Sequence, residues 1–172
     1  RTFDSTFFQA PGRMNVFNEH PFKVLFDYGH NAHAVAAMAD LAQRLTGATV
    51  TSLSRRAKYG IVSTDRDDHM IFHLGMSGRW RIEPEEIGKH DHLVLETGAG
   101  HVLALCDPRR FGSVDLVDTA ALDQWPAFAA LGPEPVGEAL TAAHLKAALA
   151  GRSAAIKLML LDQRVVAGLG NI

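Results

Sequence analysis

Residues 49–106 alternate between polar and apolar side chains and are divided by short turn-forming segments, and no other feature constrains the fold as strongly. The alternation is clearest at 49–54, and strand-like runs follow at 60–63 and 70–74. Two further runs, 92–96 and 101–106, flank the turn residues TGAG and predict a hairpin. Alternating strands joined by tight turns are typical of antiparallel sheets. We therefore expect an antiparallel β-layer in the middle of the chain.

Other patterns lie on both sides of this layer. Residues 22–28 form a short apolar run that predicts a buried strand, and residues 34–45 carry apolar side chains at helical spacing, with Asn31 as a possible cap. After Phe111 the periodicity becomes helical, and it predicts helices at 120–130, 141–150 and 156–166. Segregated strands and helices indicate an α+β fold.

The overall charge gives little indication of a partner. The 172 residues carry a formal net charge of −2, so attraction to nucleic acid would have to come from local clusters. Two clusters are candidates: Arg55 and Arg56 with Lys58, and Arg109 with Arg110.

The expected location is the cytoplasm. No apolar run approaches the roughly 18 residues that a membrane span needs, and the first residues lack the layout of a secretory signal. The single cysteine, Cys106, excludes an internal disulfide and fits a reducing compartment as a small core residue. We expect no membrane partner.

Two short motifs, HLGMSGRW (73–80) and DPRRFG (107–112), carry unusual chemistry. Glycines on both sides of Met76 predict a tight loop that projects this side chain outward. In an extended segment Arg109 and Phe111 point the same way, so an apolar wedge would lie beside a guanidinium. Such a pair could replace an extruded base and bond its orphaned partner. The alternative is that Met76 and Phe111 are core residues and that the arginines pair with nearby carboxylates.

The ordered motifs of the chain resemble one family. The sequences RRAKYG, HLGMSGRW, KHDH, DPRRFG, LGPEP and residues 156–172 occur in the order found in formamidopyrimidine-DNA glycosylases. The resemblance, from about residue 46 to 172, implies an antiparallel β-sandwich followed by a helix-two-turn-helix module and a four-cysteine zinc finger. It also implies excision of oxidised purines such as 8-oxoguanine, with cleavage of the strand at the abasic site.

The resemblance assigns roles to individual residues. It implies that Met76, Arg109 and Phe111 fill the gap left by a flipped nucleotide, and that Lys58 is catalytic by assisting elimination. The expected partner is double-stranded DNA with an oxidised base or an abasic site. The other positions that match DNA contacts of the family are His90, Arg152, Lys157 and Asn171.

Both ends of the sequence depart from the family pattern. Members begin with a proline nucleophile followed by a glutamate, whereas this sequence begins with Arg1 and Thr2, so impaired catalysis and at most binding of damaged DNA are expected. One cysteine cannot form the zinc finger, so no cofactor is expected, and the helix-two-turn-helix is expected to be truncated. Apolar surface left exposed in this way could favour self-association.

Residues 1–45 resemble a different class of enzyme. The sequences PGRMNVF (11–17) and FKVLFDYGHNAHAVAAM (22–38) are similar to the C-terminal domain of Mur-type ligases, in particular cyanophycin synthetase. This resemblance implies nucleotide contacts at Arg13, Asp27, His30 and Asn31. The sequence has no G-x-x-x-x-G-K-[ST] loop, so ATP-dependent amide ligation is the weaker alternative, beside an inactive folded fusion.

These two resemblances predict three units: a ligase-like strand and helix at 1–45, a glycosylase-like β-sandwich at 46–130 and a partial helix-two-turn-helix at 131–172. The helix of the first unit is expected to pack on the β-layer.

A metal site is a further alternative at KHDH. A strand would place His90 and His92 on one face, with His69 and His73 nearby, but no third ligand has suitable spacing. We expect no metal, and histidines that contact phosphate or are structural.

Overall fold

The computed structural model describes residues 15–16, 24–26 and 32–171, and it describes side chains from residue 36 onward. The ligase-like positions Arg13, Asp27, His30 and Asn31 lie outside the described residues. The strands are β1 (Asn15–Val16), β2 (Val24–Phe26), β3 (Val50–Arg56), β4 (Tyr59–Thr64), β5 (Asp68–His73), β6 (Arg79–Ile82), β7 (Asp91–Glu96), β8 (Val102–Cys106) and β9 (Ser113–Asp118). The helices are α1 (Ala32–Leu45), α2 (Pro126–Ala129), α3 (Ala142–Leu149) and α4 (Ile156–Leu161), with a 3-10 helix at Thr119–Gln124.

The described strands form two antiparallel sheets, one in the order β1-β2-β7-β8-β6 and the other in the order β3-β4-β5-β9. This arrangement confirms the predicted α+β class and the antiparallel β-layer. The predicted hairpin around TGAG is confirmed as β7 and β8. The early strand is part of this sandwich, because β2 pairs with β7.

The main core lies between the sheets and includes one face of α1. Leu41 and Leu45 of this helix join Met70, Leu93 and Leu105 in one buried cluster. At the end of the helix, Arg44 also bonds the carboxylates of Asp68 on β5 and Asp118 on β9. The expected packing of this helix on the β-layer is therefore confirmed.

The 3-10 helix and α2 pack on the other face of the second sheet. Ile61 and Ile71 face each other across β4 and β5, and they pack with Phe128 of α2, which is 1% exposed. The helical module, defined here as α3, α4 and the residues that follow to 171, has a small core of its own around Met159, Val165 and Val166. No helix in the described part of the chain is both long and apolar enough to span a bilayer.

Two strands were missed, and two predicted helices need correction. Strands β6 and β9 were not predicted. The helix predicted at 120–130 is divided, because Pro126 lacks an amide hydrogen and begins a new helix. The helix predicted at 156–166 ends at Leu161, because the Asp162 carboxylate accepts the amide hydrogen of Arg164 at 3.0 Å and forms a turn.

Candidate nucleic-acid interface

Two loops that are far apart in sequence lie against each other at one end of the sandwich. The first, residues 74–78, follows β5, and the second, residues 107–112, precedes β9; His73 pairs with Ser113 where these strands meet. Gly75 has a φ of +60°, and a Cβ built on it would lie 2.6 Å from the backbone carbonyl carbon of Phe111. Only glycine allows this approach.

Asp107 holds the two loops together. Its side chain is buried, its Oδ1 accepts a 2.5 Å hydrogen bond from the Ser77 hydroxyl, and its Oδ2 accepts one of 2.8 Å from the amide of Gly112. Burial by itself would raise the pKa of this carboxyl, but hydrogen bonds from Ser77 and from backbone amides outweigh it, so the pKa is lowered. Asp107 therefore stays charged at neutral pH and fixes the first loop to the second.

The loops hold two apolar side chains in solvent. Met76 is 73% exposed and Phe111 is 57% exposed. The guanidinium carbon of Arg109 lies 4.6 Å from the centre of the Phe111 ring, within cation–π range. The alternative that Met76 and Phe111 belong to the core is wrong. A wedge, defined here as Met76, Arg109 and Phe111, projects from a rigid base.

Lys58 lies in the turn between β3 and β4, and its side chain is exposed. Next to it, the Tyr59 ring packs 5.0 Å from the ring of His73, whose Nδ1 accepts the Gly75 amide hydrogen at 3.1 Å. Burial and the positive charge of Lys58 lower the pKa of His73, which favours the neutral ring that this hydrogen bond requires. Because Tyr59 pairs with His73, which directly precedes the first loop, Lys58 lies at the same end of the sandwich as the wedge.

The KHDH motif forms hydrogen bonds with the backbone at the start of the second loop. The carbonyl of His90 accepts the amide hydrogen of Asp107 at 2.9 Å, and Nε2 of His92 donates to the Asp107 carbonyl at 2.9 Å. Between the two histidines, the Asp91 carboxylate pairs with Arg81 at 2.6 Å. Among the described residues, no group of three or more His, Cys, Asp or Glu side chains could hold a metal ion.

The basic cluster expected at RRAKYG is smaller than predicted. Arg55 bonds the Glu134 carboxylate at 2.7 Å, and Arg56 lies 5.0 Å over the Phe128 ring and 3.6 Å from Asp123. Both arginines therefore have intramolecular partners. Lys58 is the member of the cluster whose exposed side chain remains a candidate for phosphate.

The predicted contacts of the helical module lie on its surface. Arg152, Lys157 and Asn171 are exposed, and no described hydrogen bond or ion pair joins them to the wedge loops. The structure thus places Met76, Arg109, Phe111, His90 and Lys58 around one end of the sandwich, and the other three on the module.

Three residues of the site were not predicted: Ser77 and Asp107, which hold the two loops together, and Glu134, which links the Lys58 turn to the helical module. The available signal was weak: Asp107 precedes a proline at a turn, and Glu134 lies in LGPEP. Neither position indicates its distant partner.

Comparison with known families agrees with this arrangement. Residues 24–114, just over half of the 172, match the formamidopyrimidine-DNA glycosylase N-terminal domain, and residues 131–172 match the H2TH domain of the same proteins. The chain belongs to the formamidopyrimidine-DNA glycosylase family. The family match begins at residue 24, so it includes β2 and about half of the segment predicted to be ligase-like. The predicted division at residue 45 stays a prediction.

Individual relatives are similar over the same region. The formamidopyrimidine-DNA glycosylase of Novosphingobium aromaticivorans is 71% identical over 133 residues, which cover 77% of this chain and 49% of that protein. The one from Erythrobacter litoralis is 74% identical over 132 residues, 77% of this chain and 48% of that protein. The chain therefore spans about half the length of these relatives.

Solved structures of family members show the same fold. Lactococcus lactis Fpg in complex with DNA containing an abasic site has a TM-score of 0.73 and 36% identity, covering 78% of this chain and 51% of that one. MutM in complex with DNA containing carbocyclic 8-oxo-G has a TM-score of 0.74 and 33% identity, covering 80% and 53%.

Proposed function

We propose that this chain binds double-stranded DNA at an abasic site or an oxidised base, as part of base-excision repair. The observation that carries the proposal is the wedge: two exposed apolar side chains and a guanidinium on loops joined by a buried carboxylate. Exposed apolar area is unfavourable in water, at about 25 cal/mol per Å². Insertion into a gap in a base stack would remove this apolar area from water.

Damage selectivity follows from what the wedge replaces. Insertion of Met76 and Phe111 would restore stacking where a base is missing or extruded, and Arg109 could donate to the unpaired base opposite. An intact duplex must first unstack, which costs a few kcal/mol per step. The same wedge therefore favours sites where this cost is already met.

Phosphate contacts supply the remaining affinity in this proposal. His90 and Lys58 flank the wedge, and Arg152, Lys157 and Asn171 extend the surface along the helical module. Because the chain has a net charge of −2, binding depends on these local groups and weakens as salt rises.

The activity proposed for the whole protein is excision of oxidised purines such as 8-oxoguanine, followed by strand cleavage in which Lys58 assists elimination. Impaired catalysis, a cytoplasmic location and self-association belong to the same proposal. The relatives described above add no support for an ATP-dependent ligase, so that alternative is not adopted.

The test compares a duplex containing a stable abasic-site analogue with the same undamaged duplex by fluorescence anisotropy. We expect tighter binding to the abasic duplex, and we expect Met76→Ala combined with Phe111→Ala to remove most of the difference. Leu53→Ala is the matched control, because Leu53 is also apolar and 75% exposed but lies on β3. Equal affinity of the unmodified chain for both duplexes would overturn the proposal.

Catalysis is measured separately by adding borohydride to the chain and a duplex with a natural abasic site. A reduced covalent adduct would show that an amine of this chain forms a Schiff base there. No adduct, with abasic preference intact, would agree with a chain that binds damage but is impaired as a lyase.

A further inference from the structure

We propose that Glu134 is a positioning residue that holds the Lys58 turn in place against the helical module, a role that rests on the proposed function of Lys58 at damaged DNA. Glu134 belongs to LGPEP, in the segment between α2 and α3, whereas Lys58 lies between β3 and β4.

The first contact is to the backbone of the turn. Oε1 of Glu134 accepts a 2.5 Å hydrogen bond from the amide of Ala57, the residue directly before Lys58. Ala57 is buried and has a φ of 54°, a left-handed conformation that residues other than glycine adopt only when surroundings require it. The carboxylate therefore stabilises the conformation that orients Lys58.

Arg55 completes the contact at the turn. Its Nη2 donates to Oε2 of Glu134 at 2.7 Å, and its Nη1 donates to the carbonyl of Ala57 at 2.5 Å. The amide and the carbonyl of Ala57 are thus both bonded within one cluster. The guanidinium also balances the negative charge of Glu134, which would otherwise repel phosphate near Lys58.

The other end of the link is fixed to the helical module. The carbonyl of Pro133 accepts the amide hydrogen of Ala167 at 2.9 Å, and the amide of Gly132 donates to the Gln163 carbonyl at 2.9 Å. A Cβ built on Gly168 would lie 3.4 Å from Cα of Ala57, so the module also approaches the turn directly. Glu134 therefore joins the turn to the segment that leads to Asn171.

A double-mutant cycle tests whether Glu134 acts through Lys58. We expect Glu134→Ala to weaken binding to the abasic duplex about 3- to 10-fold, and to add little in a Lys58→Ala background, because coupled residues are not additive. In an Arg109→Ala background its full effect should remain. Additive effects in the Lys58→Ala background would overturn the proposal.

Conservative replacement separates positioning from general destabilisation. Glu134→Gln keeps an oxygen that can accept from Ala57, so it should retain most of the affinity that Glu134→Ala loses. Glu138→Ala is the matched control, an exposed glutamate in the same connecting segment that should change nothing. If Glu134→Gln and Glu134→Ala are equally weak while both keep the melting temperature of the unmodified chain, the bond to Ala57 does not position Lys58.

A second experiment needs no DNA and stays decisive if the proposed DNA binding fails. Limited trypsin digestion, followed by mass spectrometry, compares cleavage after Lys58 with cleavage after the exposed Lys89. In Glu134→Ala we expect the ratio to rise about five-fold, since a released turn opens locally more often. An unchanged ratio would overturn the positioning role whatever the DNA result.

Discussion

The wedge loops and the surface of the helical module are two regions of one proposed interface, but they are built differently. The wedge rests on Asp107, whose buried carboxylate accepts hydrogen bonds from Ser77 and Gly112. On the module, Arg152 and Lys157 are exposed on a loop and a short helix. A rigid base suits recognition of shape, whereas exposed cations suit attraction to any phosphate backbone.

The contrast has a physical origin. Filling a gap in a stack requires Met76 and Phe111 to meet the DNA at fixed positions, so their loops must be ordered before binding. Phosphates recur along every strand, so a flexible cation finds one without being held. We therefore expect changes at the wedge to alter selectivity and changes at the module to alter affinity alone.

Asp107→Ala should have the largest effect, because it removes the group that makes the wedge loops more ordered than the surface of the helical module. Loss of the carboxylate leaves the Ser77 hydroxyl and the backbone amides of Arg109 and Gly112 without this acceptor, which we expect to cost about 2–4 kcal/mol of unfolding free energy. Preference for abasic over intact duplex should be lost as well. Urea unfolding and anisotropy measure the two effects.

The control is Asp123→Ala, whose side chain is 97% exposed and which should change the unfolding free energy by no more than about 0.5 kcal/mol. An Asp107→Ala variant with unchanged stability and unchanged preference would show that the two loops do not depend on this carboxylate.

Arg109→Ala should have the next largest effect, confined to damaged DNA. Loss of the guanidinium removes its contact with the Phe111 ring and its bond to an orphaned base, so affinity for the abasic duplex should fall about 10-fold, or 1.4 kcal/mol. Affinity for the intact duplex should fall much less. Arg109→Lys keeps the charge and should recover little, because an ammonium lacks the planar donor fork. Equal loss on both duplexes would reduce Arg109 to a phosphate contact.

The sequence predicted the exposed residues of the wedge better than the residues beneath them. Met76 and Phe111 lie in glycine-rich turns, and turn chemistry is local, so their projection could be inferred. The bond between Ser77 and Asp107 joins positions 30 residues apart, and no local pattern records it. For the same reason Arg55 was expected to be free for phosphate although it bonds Glu134, 79 residues away.

Strand β9 was not predicted, although its sequence carries a strand pattern. In β9, Val114 and Leu116 pack toward the core and alternate with Ser113 and Asp115, which is a strand pattern. The helical periodicity further along obscured it. The end of α4 was different, because it depends on the side chain of Asp162 bonding the backbone of Arg164, a local competition that apolar spacing does not reveal.

Arg152→Ala tests the proposed role of the helical module as a surface that contacts phosphate without selecting damage. Loss of one phosphate contact should weaken binding to intact and abasic duplexes equally, and it should reduce the slope of log affinity against log salt by about 0.9. Titrations at several salt concentrations measure this slope. Asn171→Ala, which removes no charge, should leave the slope unchanged. A selective loss on abasic DNA would place Arg152 with the wedge instead.

The smallest effect concerns pH and the base of the first loop. Because His73 has a lowered pKa, its neutral ring accepts the Gly75 amide hydrogen in the folded chain, and this stabilisation is fully present above the unfolded pKa of about 6.5. As pH falls below that value the unfolded chain takes up a proton first, so stability declines until the folded ring is protonated too.

His73→Asn supplies an oxygen that can accept from the same amide without titrating, so it should remove this part of the decline. Urea unfolding at several pH values between 7.5 and 5 measures this. The free energy of unfolding should fall more in the unmodified chain than in His73→Asn, by less than about 1 kcal/mol over the range because the ring is only half buried. Identical slopes would mean that protonation of His73 does not loosen the Met76 loop.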